Sequence, residues 1–93
     1  MSAYIVVDAN VHDPEAFKAY AEKVGATLKA HGGKPLASSM DTESLEGTWD
    51  PARVVILEFA DAAAAKGWYD SPEYQEIIPL RQVAATDSLV LVP

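Results

Sequence analysis

The chain has 93 residues, no cysteine, and seven Lys and Arg against fourteen Asp and Glu, for a formal net charge of −7. That length makes one domain, rules out disulfide bracing and lacks the clustered cations that hold a phosphate backbone or an anionic membrane. A chain this short buries only ~60–65% of its unfolded surface, so a partner subunit is the expected extra source of burial.

The opening "MSAYIVVDANV" has no basic region, and Asp8 interrupts its apolar run, so it reads as a strand over Ala3–Val11 and not as a signal peptide. No apolar stretch approaches the ~20 residues that span a bilayer. With cysteine absent as well, the cytoplasm is the expected compartment. In "HDPEAFKAYAEKVGATLKAHGG", Asp13 is a suitable N-cap, Pro14 suits the first helical position and Glu15 the first turn. Phe17, Tyr20, Ala21, Val24 and Leu28 recur at three- and four-residue spacing, the stripe of an amphipathic helix, which Gly32 and Gly33 terminate.

"KPLASSM" and "ESLEG" predict a weaker second strand, bent or broken around Asp41, followed by a turn-rich "GTWDPA". "RVVILEF" is the strongest strand. Asp61 caps a short helix, "AAAAKGWY", and the pattern restarts at "DSPEYQEII" with Ser71 as N-cap, Pro72 first and Glu73 next. Pro79 lacks a backbone donor and disfavours helix at Ile78, which predicts a kink or break there. "DSLVLVP" is the last strand. The order β-α-β-β-α-β predicts an α+β, ferredoxin-like domain over residues 1–93: a four-stranded antiparallel sheet with helices on one face.

Alternation along the strands sets Tyr4, Val6 and Asp8 against Ile5, Val7 and Ala9, and Val54, Ile56 and Glu58 against Val55, Leu57 and Phe59. Leu89 and Leu91 oppose Val90 and Val92. Both faces are substantially apolar, yet helices cover only one. Stacking two such sheets about a two-fold axis hides the other, so a homodimer with a barrel-like core is expected.

"HGG", "LEGTW", "RVVILEF", "WYDSPEYQEIIPLRQ" and the final apolar strand, in this order and spacing, resemble the family known as domain of unknown function 1330, of the dimeric α+β barrel superfamily. The resemblance covers essentially the whole chain, and "WYDSPEYQ…LR" is its most specific part. It implies a ferredoxin-like subunit, a homodimer and no established reaction, with superfamily relatives that include small monooxygenases, isomerases and degrading enzymes. Members of the family often carry an arginine in the second strand, where this chain has Ser38 and Ser39.

Several residues are candidates for a site. Trp68, Tyr74 and Arg81 suit either the wall of a pocket for a small acidic molecule or a packed corner in which the guanidinium stacks on a ring and pairs with Glu73 or Glu76. Glu58 on an apolar strand suits either a general base or the partner of Arg53, Arg81 or a group across the dimer, while Asp8 reads as solvated. His31, before the glycine pair, suits a proton shuttle or a favourable contact with the helix dipole. Tyr4 is a further candidate lining residue, and Glu46 and Trp49 suit a pocket edge or the dimer seam. No zinc, calcium, P-loop, dinucleotide or serine-hydrolase motif is present, so no metal or cofactor is expected. Two functions fit: a dimer that binds or transforms a small organic molecule, a carboxylate-bearing one among the candidates, or a non-catalytic dimeric interaction module.

Overall fold

Helix caps and strand alternation organise the chain into seven elements. In order they are β1 (Ala3–Val11), α1 (Pro14–Ala30), β2 (Lys34–Ser39), β3 (Val54–Phe59), α2 (Ala62–Asp70), α3 (Pro72–Gln82) and β4 (Ala85–Val92). The structure, a computed structural model, describes residues 1–93. The four strands form one antiparallel sheet in the order β2-β3-β1-β4, the ferredoxin-like arrangement. No helix is long and apolar enough to cross a membrane.

Each helix starts on a side-chain acceptor. Asp13 Oδ1 accepts from Ala16 N–H at 3.2 Å, and Asp61 Oδ1 accepts from Ala64 N–H at 2.7 Å. Ser71 joins α2 to α3: its hydroxyl donates to Trp68 O at 2.7 Å and accepts from Tyr74 N–H at 3.2 Å. Such caps satisfy amide groups that the helix itself leaves free. The two glycines after α1 have different jobs. Gly32 adopts φ +72°, which side chains resist, whereas Gly33 lets the chain pass against the core, since a Cβ there would lie 2.7 Å from the Phe59 ring and 2.8 Å from Leu28.

Ile5, Leu57 and Phe59 turn inward beneath the helices and pack with Tyr20, Leu28, Trp68, Tyr74, Ile77 and Ile78, and Ala9 is buried on the same face. Trp68, Tyr74 and Phe59 are the largest fully buried side chains, each contributing on the order of 1.5–3 kcal/mol of apolar burial. On the opposite face Tyr4, Val6, Val54 and Ile56 are only half-buried, and Val90 and Val92 are 57% and 46% exposed. The sheet therefore presents apolar side chains to solvent on that face.

Three expectations are corrected. "ESLEG" forms no strand: β2 ends at Ser39, and residues 40–53 are an irregular connection. The second strand is an exposed edge with a register shift between Pro35 and Ala37, and Pro35 and the bulge suit an edge that must not recruit further strands. Pro79 does not break its helix, since α3 runs through it to Gln82. The ring lies on the exposed side while Ile77, Ile78 and Arg81 anchor the buried side, so packing outweighs one lost hydrogen bond. Finally, β4 starts at Ala85, two residues before the predicted boundary, where Ala85 pairs with Val11 of β1.

Candidate functional site

Between α1 and the inner face of the sheet lies a cavity of about 280 Å³. Its walls are mostly apolar, with Phe17, Val24 and Leu28 from α1 and Val55, Leu57 and Leu89 from the strands. Tyr20, Trp68, Arg81 and Asp87 supply polar groups, and Arg53 and Ser38 line it where it is more exposed. A second, more open cleft of about 580 Å³ runs between the helices and β4, past Lys66, Tyr69, Asp70 and Thr86. Arg81 and Asp87 line both spaces.

The periodicity of α1 delivers Tyr20, that of α3 delivers Tyr74 and Arg81, and the inward alternation of β4 (Asp87, Leu89, Leu91) delivers Asp87. Arg81 Nη1 donates to Asp87 Oδ2 at 3.3 Å, with the two side chains 8% and 1% exposed. Arg81 also sits 5.9 Å from the centroid of the Tyr20 ring. The Tyr20 and Tyr74 hydroxyls are 2.8 Å apart, and burial pushes both above their ordinary value near 10. Burial pulls Arg81 downward, but the facing Tyr74, Asp87 and Tyr20 more than offset it, so the guanidinium holds its proton more tightly than usual. Trp68 closes the cluster: its Nε1–H donates to Thr27 Oγ1 at 3.0 Å, and its rings lie 4.0 Å from Tyr74 and 5.6 Å from Phe59.

Of the residues singled out in the sequence, Trp68, Tyr74 and Arg81 meet in this buried cluster, and Arg81 pairs with Asp87 instead of Glu73 or Glu76. Tyr4 and Glu58 do not join them. They sit opposite each other on neighbouring strands, on the face turned away from the helices, because Leu57 and Phe59 point inward. His31 lies on the outside, its Nε2 3.0 Å from Glu73 Oε1, tying the end of α1 to the start of α3. That bond holds the Glu73 carboxyl below its ordinary range.

Glu46 and Trp49 lie exposed in the connection before β3. Trp49 Nε1–H donates to Asp8 Oδ2 at 2.9 Å, so Asp8 is engaged and not merely solvated. Tyr20, Asp87 and Arg53 line the cavity although the sequence did not single them out as candidates. The alternation of Asp87 with two inward leucines was the available signal for an acid on the buried face. Arg53 places Nε and Nη2 at 3.3 and 3.2 Å from Ser38 Oγ, which brings a cation to the second strand from its neighbour.

This fold, with a buried polar cluster at one cavity between helix and sheet, defines a ferredoxin-like α+β domain. The chain belongs to the family described as domain of unknown function DUF1330, whose model matches residues 2–93. Among solved structures it is similar to RPA0582, a protein of unknown function from Rhodopseudomonas palustris, at 23% identity and TM-score 0.76, over 98% of this chain and 80% of that one. It is also similar to SnoaB, a cofactor-independent oxygenase from Streptomyces nogalater, at 17% identity and TM-score 0.72, over 99% and 91%. A dimeric protein of unknown function with a ferredoxin-like fold from Bacteroides fragilis aligns at 13% identity and TM-score 0.65, over 97% and 93%. No curated protein matches the chain in sequence. At these identities the structural likeness speaks to the fold alone.

Proposed function

We propose that the chain works as a homodimer that binds a small organic molecule in the inner cavity and acts on it without a cofactor. The observation that carries this reading is the cavity itself: about 280 Å³ of mainly apolar space with buried, charged Arg81 and Asp87 in its lining. Asp87 is the only carboxylate in that lining, so proton acceptance there falls to it and not to Glu58 or His31. Arg53, whose hydrogen-bond partner is the neutral Ser38, is the cation suited to a ligand carboxylate. A cofactor-independent oxygenase has the same fold, which lends the reading general support.

The solvent-facing side of the sheet supports the dimer. Tyr4, Val6, Ile56, Val90 and Val92 form an apolar surface that a second sheet would cover, and a structural neighbour is described as dimeric. The net charge of −7 and the lack of cysteine suit a cytoplasmic protein that avoids nucleic acid and anionic membranes.

Native mass spectrometry of gently purified protein tests both parts. The expected species has twice the chain mass plus a small adduct, and the adduct disappears in Val24→Trp, which fills the cavity. A dimer that carries no adduct and gains none from a fragment library would favour the second reading, a non-catalytic dimeric module. The mutual pairing of Tyr20 with Tyr74 and of Arg81 with Asp87 is the observation on that side.

A further inference from the structure

Arg81 and Asp87 line both the inner cavity and the cleft along β4. Their contact satisfies one atom of each, while Arg81 Nε and Asp87 Oδ1 are buried without a hydrogen-bond partner. Native interiors rarely leave such atoms unpaired, and each one calls for an explanation. Beside the pair, the Tyr20 and Tyr74 hydroxyls are 2.8 Å apart, one donating to the other.

The charges at this end of the cavity cancel. A carboxylate brought to Arg81 also meets the Asp87 carboxylate, and that repulsion offsets the attraction. A neutral group that both donates and accepts meets no such penalty. At 3.3 Å the Arg81–Asp87 contact is longer than the ~2.7–2.9 Å of a tight charge-assisted bond, and a head group that reaches Arg81 Nε and Asp87 Oδ1 requires the two side chains to part.

We infer that the Arg81–Asp87 pair recognises an uncharged head group that donates to Asp87 Oδ1 and accepts from Arg81 Nε: an aromatic hydroxyl, an enol or a primary carboxamide. The apolar body of the ligand fills the inner cavity against Phe17, Val24 and Leu57. This assignment rests on the reading of that cavity as a ligand site. It moves any carboxylate of the ligand away from Arg81.

Isothermal titration calorimetry at neutral pH with naphthol, naphthamide, naphthoate and methoxynaphthalene compares four head groups on one body. Naphthol and naphthamide are expected to bind at least about tenfold more tightly than naphthoate. Methoxynaphthalene accepts but cannot donate, and is expected to fall about tenfold below naphthol. The Arg81 Nε–H resonance should shift with the tight ligands. Asp87→Asn keeps the shape and removes the negative charge, so its order should reverse in favour of naphthoate; if it does not fold, the native protein's panel decides alone. Naphthoate binding the native protein as tightly as naphthol, or tight binding that leaves the Arg81 resonance unmoved, overturns the head-group assignment and leaves the cavity reading standing. A folded protein that binds none of the four overturns both.

Discussion

Replacing Asp87 by Leu strands a buried guanidinium. Arg81 is 8% exposed on its side chain, and Asp87, at 3.3 Å and 1% exposed, is its only carboxylate partner. Breaking a buried ion pair by removing one partner costs ~3–5 kcal/mol, because the remaining charge stays desolvated. A chain of 93 residues holds about 5–14 kcal/mol in total at ~0.05–0.15 kcal/mol per residue. The single variant should therefore lose a large share of its stability, with Tm lower by at least ~12 °C. The double variant Arg81→Met with Asp87→Leu should recover to within ~1 kcal/mol of the native protein, because apolar side chains of similar volume can replace a buried pair. Urea titrations of all three proteins, at one fixed protein concentration so that association does not confound the comparison, measure the difference. A loss below about 1 kcal/mol for Asp87→Leu would refute the claim that the pair is desolvated and mutually dependent.

Three further outcomes are expected. Tyr20 and Tyr74 are held above their ordinary value near 10 by burial, so folding keeps protons that the unfolded chain releases. Their contribution is complete below about pH 10 and declines as pH rises above it, by at most ~1.4 kcal/mol per pH unit for each proton the folded chain retains. Urea titrations at alkaline pH should show a shallower decline for Tyr20→Phe than for the native protein, and parallel curves would contradict the buried hydroxyl pair. Glu73 has a lowered carboxyl pKa because of its bond to His31, so its stabilising effect is present above its ordinary value and lost as pH falls below it. Carboxyl-detected NMR should show Glu73 titrating at higher pH in His31→Gln, and an unchanged midpoint would mean the bond does not persist in solution. Gly33→Ala forces a methyl group against Phe59 and Leu28 at under 3 Å and should cost ~1–3 kcal/mol in thermal or urea unfolding. A neutral result would mean that α1 can lift from the sheet freely.

The helices were readable because each carries its own punctuation: Asp13-Pro14, Asp61 and Ser71-Pro72 mark starts whose caps the structure forms. Pro79 misled because proline was weighed as a local breaker, while Ile77, Ile78 and Arg81 anchor the same helix from the other side. "ESLEG" misled because short alternation suggests a strand without supplying a neighbour to pair with. The buried polar cluster at the cavity was legible in part. "WYDSPEYQEIIPLRQ" contributes Trp68, Tyr74 and Arg81 to one buried cluster. Tyr4 and Glu58 were grouped with them although alternation already set those two on one face, since valines and isoleucines on both faces do not reveal which one the helices cover. Asp87 went unnoticed because its role depends on a partner from a different element.

The two tryptophans occupy contrasting surroundings. Trp68 is 1% exposed, its indole hydrogen-bonded to Thr27 and packed against Tyr74, whereas Trp49 is 57% exposed and rests on Asp8 from the irregular connection. Their fluorescence should separate accordingly, a blue-shifted emission shielded from acrylamide for Trp68 and a red-shifted, quenchable one for Trp49. With Trp49→Phe and Trp68→Phe to assign each signal, the chain carries intrinsic optical reporters on its core and on its longest connection. The loosening of that connection could then be followed apart from global unfolding without attaching any label.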